Sequence, residues 1–145
     1  MSKVISHLKQ LQADSHALYV KLHNYHWNVK GMDFIPVHNK TEEIYTNMST
    51  LYDDVAERVI QLGDKPYLCM SELAKATKIT EEKGDSFKSK EIVKNIIEDF
   101  KYLLKLFKKL SDEADKVNDK ATTAFADDNI TFLEKEIWIL GAMLK

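Results

Sequence analysis

The sequence predicts an all-α chain, four long helices packed as a bundle with one long crossover, and three observations carry that expectation. Only four glycines and two prolines interrupt 145 residues, so breaks are few and the stretches between them long. Through those stretches apolar residues recur at three- and four-residue steps, the period of a helix with one buried face. The breakers cluster between Gly63 and Ser89, where a connection too long for a hairpin separates two helical halves. One domain is expected over residues 1–145, large enough to bury its own core.

The first long helix is expected from Ser2 to Lys30. Val4, Leu8, Leu11, Ser15, Leu18, Leu22, Tyr25 and Val29 form its core stripe, and Gly31 supplies the C-terminal stop. The second opens near Ile35, with Pro36 in the first turn where its missing N–H costs nothing, and closes at Gly63. Its stripe is Val37, Ile44, Met48, Leu51, Val55, Val59 and Leu62. In the crossover a short helix from Ser71 to Thr77 fits between Gly63-Asp64-Lys65-Pro66 and Lys83-Gly84-Asp85-Ser86. The long helices each span roughly 40 Å at about 1.5 Å per residue, and a connection of this size can travel back along that distance. The third long helix takes Ser89 as N-cap, and its stripe is the clearest in the chain: Ile92, Val93, Ile96, Ile97, Phe100, Leu103, Leu104, Phe107 and Leu110. The fourth runs from about Asp119 and shows Ile130, Leu133, Ile137, Leu140 and Leu144.

Composition removes several classes of function. Lysine and arginine total 21 against 23 acids, a net charge of -2, which opposes a chain governed by attraction to nucleic acid or to a membrane surface. Arg58 is the only arginine, so bidentate reading of phosphate or guanine has little to work with. Cys69 is the only cysteine, which excludes an internal disulfide and a CxxC site and suits a reducing, cytoplasmic setting. The first ten residues lack an apolar signal core, and no run is long enough to cross a bilayer. No nucleophile elbow and no phosphate-cradling glycine loop is present.

What chemistry remains lies in the first two helices, where His26, His38, Asp53 and Glu57 are all of metal-ligand type. Imidazole with carboxylate is the ligand set that iron, manganese and zinc share. Asp53 and Glu57 are four apart, so on a helix one lies above the other and both reach a single cation. On a wheel of about 100° per residue with Val37 at the origin, the second-helix stripe stays within roughly 40°. His38 falls near ~100°, Asp53 near ~160° and Glu57 near ~200°, all away from the core. Any site is therefore outside the bundle; an inward-facing di-iron site would use Glu-x-x-His, and the chain has none. The first helix carries a second face of His16, Tyr19, Val20, His23 and Trp27, more apolar and aromatic than solvent requires, and this face is expected to meet another subunit.

Each of these residues also has a plain structural reading. An outward Asp-Glu pair four apart is usually solvated surface, and His23 with His26 three apart is usually surface or a capped polar contact. Trp27, Tyr45 and Tyr52 are ordinarily packing residues, Met32, Met48, Met70 and Met143 core or boundary filler, and Lys101, Lys105, Lys108 and Lys109 the polar face of the third helix.

What raises the metal reading above these alternatives is a long run of wording. His23-Asn24-Tyr25-His26-Trp27-Asn28-Val29-Lys30-Gly31, then Phe34 and His38, then Asp53-Asp54-Val55-Ala56-Glu57-Arg58, resembles the signature of the Dps mini-ferritins. The likeness continues through Asp119-Lys120-Ala121-Thr122 and Ile137-Trp138-Ile139-Leu140, and is closest to the short branch that includes neutrophil-activating proteins. The resemblance implies a ferritin-like bundle assembled as a homo-oligomer, a hollow dodecamer, with ferroxidase centres at two-fold interfaces. It implies that His26 and His38 come from one subunit and Asp53 and Glu57 from its partner. The implied reaction oxidises Fe(II) to Fe(III), preferentially with hydrogen peroxide, and stores the ferric mineral in the cavity. Carboxylates favour the ferric product while neutral imidazoles still hold Fe(II). Trp27 and Tyr52 stand as candidate electron donors near the site. Entry pores in the family are lined by acids near the start of the fourth helix, for which Asp115, Asp119, Asp127 and Asp128 are candidates, Asp119 matching best. Many relatives bind DNA through a lysine-rich N-terminal arm; here the first helix begins almost at once with only Lys3 and Lys9, so DNA binding by an arm is not expected. No motif in the chain identifies a host receptor.

Overall fold

The computed structural model describes residues 1–145. Its long helices are α1 (Ser2–Asn28), α2 (Phe34–Gln61), α4 (Ser89–Lys116) and α5 (Lys120–Met143), with a short α3 (Met70–Ala76) in the crossover. Two minimal strands, β1 (Val29–Lys30) and β2 (Phe87–Lys88), pair in parallel, Val29 opposite Phe87. Helix α1 packs on α2, α4 on α5, and α1 on α4. Tyr25 meets Asn95, Lys21 meets Asp99 and Asp14 meets Tyr102, so α1 and α4 run antiparallel. Since α2 also opposes α1, the segment from Leu62 to Lys88 must travel the length of the bundle. This is the bundle with one long crossover that the sequence predicts.

The predicted stripes are the core. Val4, Leu8, Leu11, Leu18, Leu22 and Tyr25 of α1 are buried against Val37, Ile44, Met48, Val55 and Val59 of α2, and Ile92, Ile96, Phe100, Phe107 and Leu110 of α4 close the other side. Truncating a ring buried as completely as Phe100 costs about 3–5 kcal/mol. Details differ at the edges of the stripes. Leu104 packs only partly while Leu106 is buried, and of the methionines expected as filler only Met48 is inside. Met32 is wholly exposed because it sits in the tight turn after Gly31, and Met70 is exposed where it opens α3.

Two helix ends depart from expectation for identifiable reasons. Helix α1 ends at Asn28 rather than Lys30, because Val29 turns extended (ψ 138°) and pairs with β2. Gly31, at φ +110°, then takes the left-handed turn that starts the return, and its carbonyl accepts from Phe34 N–H. Ser89 does not cap α4. Its hydroxyl donates to Asp33 at 2.8 Å and so ties the start of α4 to the turn before α2.

The crossover is held by polar side chains of α1. Gln12 bonds both backbone groups of Tyr67, donating to its carbonyl at 2.9 Å and accepting from its N–H at 2.8 Å. Asp14, wholly buried, accepts from Gln10, the Thr77 hydroxyl, the Lys78 N–H and the Tyr102 hydroxyl. Asn24 donates to the carbonyls of Glu82 and Gly84, and Tyr25 to the Glu82 carboxylate. Leu73, Ile79 and Phe87 are the segment's only buried apolar side chains, so much of its attachment is hydrogen bonding.

Candidate metal centre

His26 lies in the last turn of α1 and His38 early in α2, so the turn through Gly31 folds one onto the other. Their rings stack at 3.6 Å between centroids, 16° from parallel. His26 Nδ1 donates to the His38 carbonyl at 2.7 Å, and His38 Nδ1 donates to the His26 carbonyl at 2.8 Å. A carbonyl only accepts, so in each neutral ring the proton sits on Nδ1 and the lone pair on Nε2, the state in which imidazole binds a metal. The Thr41 hydroxyl, 3.3 Å from His26 Nδ1, donates to the carbonyls of Val37 and His38 and braces the start of α2. Phe34 stacks on the far side of His38 at 4.9 Å. His26, although spaced from His23 as surface pairs are, is only 7 % exposed.

Asp53 and Glu57 stand further along α2, both exposed, and Asp54 joins them: ligand oxygens of all three lie within 4.8 Å of one another. Asp54 is three residues before Glu57, a spacing that already marks helical neighbours, and could have been included from the sequence on that rule. The adjacent Arg58 does not neutralise the group. It is drawn off to Asp119 at 2.8 Å and Gln61 at 2.9 Å.

The chain thus brings together His26 with His38, and Asp53 with Glu57, but not one pair with the other. Fifteen residues of continuous helix separate His38 from Asp53, roughly 22 Å at the helical rise. No single ion can be bound by both pairs of one chain.

Around the imidazoles lies a cluster of rings. Tyr45 stacks on His23 at 3.8 Å and meets His26 edge-on at 5.2 Å, while Tyr19 closes on His23 edge-on at 4.5 Å. Trp27 touches His23 at 5.5 Å and is 64 % exposed, and Val20 is exposed beside it, so the second face of α1 is uncovered in the isolated chain. Tyr52, singled out with Trp27 from the sequence, lies against His16 at 5.4 Å instead of the His26 cluster. The antiparallel register of α1 and α2 brings Tyr45 to His26 and carries Tyr52 two turns further away.

Asp119 serves a purpose internal to the chain. It caps α5 by accepting from Thr122 N–H at 3.1 Å, pairs with Arg58, and accepts from the Thr122 hydroxyl, which leaves its carboxylate nearly covered. Among the other acids considered for pores, Asp115 pairs with Lys120 and Asp127 accepts from Ser111.

Comparison with known proteins agrees with this architecture. Residues 5–145 match the ferritin-like domain family. The chain is 51 % identical over 142 residues to the DNA protection during starvation protein of Helicobacter pylori, covering 98 % of this chain and 99 % of that one. It superposes on the crystal structure of Helicobacter cinaedi CAIP with a TM-score of 0.97 at 52 % identity, over 99 % of this chain and 100 % of the other. It superposes with a TM-score of 0.94, at 33 % identity over 99 % and 90 % of the two chains, on a Vibrio cholerae Dps protein described as a member of a superfamily of ferritin-like diiron-carboxylate proteins. No helix is long and apolar enough to cross a membrane.

Proposed function

The chain belongs to the Dps branch of the ferritin-like family, and on that premise we propose that it oxidises Fe(II) and stores the product, drawing each ferroxidase centre from two copies of itself. His26 and His38 of one copy supply the neutral imidazoles, and Asp53 and Glu57 of the second supply carboxylate oxygens. The observation that carries this reading is the pairing of two half-sets, one with its Nε2 lone pairs free and one with exposed, unneutralised carboxylates, held roughly 22 Å apart along α2. An isologous contact between two copies brings each half-set to its complement twice over. The exposed Tyr19, Val20 and Trp27 of α1 then become interface.

In this reading two Fe(II) ions give one electron each to hydrogen peroxide, the preferred oxidant, and the ferric product moves to the cavity of a cytoplasmic dodecameric shell. Protection of DNA, named for the Helicobacter pylori relative, would here be chemical: removal of Fe(II) and peroxide denies both partners to radical formation. The alternative, a protein that chiefly coats DNA, is opposed by the net charge.

The decisive experiment is anaerobic Fe(II) loading of the assembled shell followed by peroxide. Ferric absorbance should rise with one peroxide consumed per pair of irons. A correctly assembled shell that oxidises no iron with peroxide sinks the proposal.

A further inference from the structure

We propose that the seam between α2 and α5 binds a small aryl-alkyl ammonium, one six-membered ring carrying a primary ammonium on a short arm. The inference goes beyond the iron chemistry above and does not depend on it.

Apolar stripes close α1 on α2, α1 on α4 and α4 on α5. The remaining seam, α2 against α5, is instead bridged near each end by an ion pair, Lys40 with Glu136 at 2.7 Å and Arg58 with Asp119 at 2.8 Å. Between these bridges the seam holds a cavity of about 150 Å³. Its floor is apolar: Met48, Leu51, Phe107 and Leu133 are all buried, and Phe132 is half-buried beside them. An apolar cavity of this volume accepts one benzene ring.

The mouth of the cavity decides the other half of the ligand. Thr50 donates to the Thr46 carbonyl and Asn129 to the Phe125 carbonyl, so both of these polar side chains are engaged within their own helices. Asp54 is the only charged group of the lining; it is exposed, and oxygens of Asp53 and Glu57 lie within 4.8 Å of it. Arg58 brings no compensating charge, because it is turned to Asp119 and Gln61. A carboxylate at the edge of an apolar cavity, with further negative charge behind it, favours a cation whose body is apolar. A hydrated metal ion gains nothing from the floor, a neutral ring gains nothing from Asp54, and an anion is repelled.

The test is methyl-detected nuclear magnetic resonance on the iron-free assembled protein, labelled at methionine and leucine methyls and titrated with benzylamine. Saturable shifts are expected at Met48, Leu51 and Leu133, with cross-relaxation from the ring protons to those methyls and a Kd on the order of 1 mM. Leu8, in the α1 stripe, should not move. Benzyl alcohol, the ring without the charge, should bind about three-fold more weakly, and Asp54→Asn should remove that difference. High salt should shrink the same difference in wild type, a check that needs no variant. Methylammonium, the charge without the ring, should leave the cavity methyls where they are. No saturable shift with benzylamine, or shifts only at other methyls, overturns the proposal. So does equal affinity for amine and alcohol in wild type, an advantage of the amine that survives Asp54→Asn, or the same methyl shifts with methylammonium.

Discussion

At the scale of single residues, the side chains that matter most for stability are polar and lie inside. Asp14 is fully buried and accepts from four side-chain or backbone donors, two of them in the crossover. Asp14→Ala orphans those donors and should lower stability by about 3 kcal/mol, whereas Tyr102→Phe removes one donor and should cost about 1 kcal/mol. Urea midpoints of the two variants give the ranking, and wild-type stability in Asp14→Ala would contradict it. Asp119 makes a prediction in pH. Burial alone would push its carboxyl up, but the Thr122 hydroxyl and N–H and the Arg58 guanidinium outweigh that and hold it below the ordinary 3.8. A depressed folded pKa contributes stability above the unfolded value and loses it as pH falls through the folded one. The advantage of wild type over Asp119→Asn should therefore be full above about pH 5 and shrink below about pH 4, read from denaturation midpoints across that range. An advantage independent of pH would show that the charge contributes nothing.

At the scale of elements, the ends of helices separate backbone effects from packing effects. Gly63 ends α2 at φ +87°, its N–H on the Ile60 carbonyl and that of Asp64 on the Val59 carbonyl, and an added Cβ there would meet nothing within 4 Å. Gly63→Ala should therefore cost about 1 kcal/mol through backbone strain alone. Gly141 lies within α5 at a helical φ, again with nothing within 4 Å of an added Cβ, so Gly141→Ala should stabilise by about 1 kcal/mol through helix propensity. Thermal unfolding of the two variants should shift in opposite directions, and a shared direction would refute the argument. The crossover is the element whose placement depends least on apolar burial. Its path follows Gln12, Asp14, Asn24 and Tyr25 of α1, residues whose polarity interrupts or borders the stripe and gives no hint of a partner 55 or more residues away.

At the scale of the whole molecule, the proposed centre predicts complementation. A His26→Ala/His38→Ala chain and an Asp53→Ala/Glu57→Ala chain should each be inactive alone. In a mixed dimer one centre is doubly broken and the other intact, and half of randomly formed dimers are mixed. Co-refolding should restore roughly one quarter of wild-type peroxide-dependent oxidation. A co-assembled shell as inactive as its parents, with mixing confirmed, would mean that the ligands do not come from two chains. The charge balance carries a second expectation: no tight DNA complex at pH 7–8 and about 0.15 M salt, checked by gel retardation.

Period and rise are local properties, and for that reason the four long helices, their buried stripes, the single crossover and the exposure of Asp53 and Glu57 are legible in the chain alone. The same arithmetic separates His38 from Asp53 by more than any ion can span. The contact between His26 and Tyr45, the reciprocal carbonyl bonds that set both imidazole tautomers, the pairing of β1 with β2 and the clasp of α1 on the crossover come instead from packing between elements. Each joins residues on different elements, and its existence depends on how far one helix slides and turns against another. Spacing within either helix is unchanged by such a slide, so no periodicity in the chain records it.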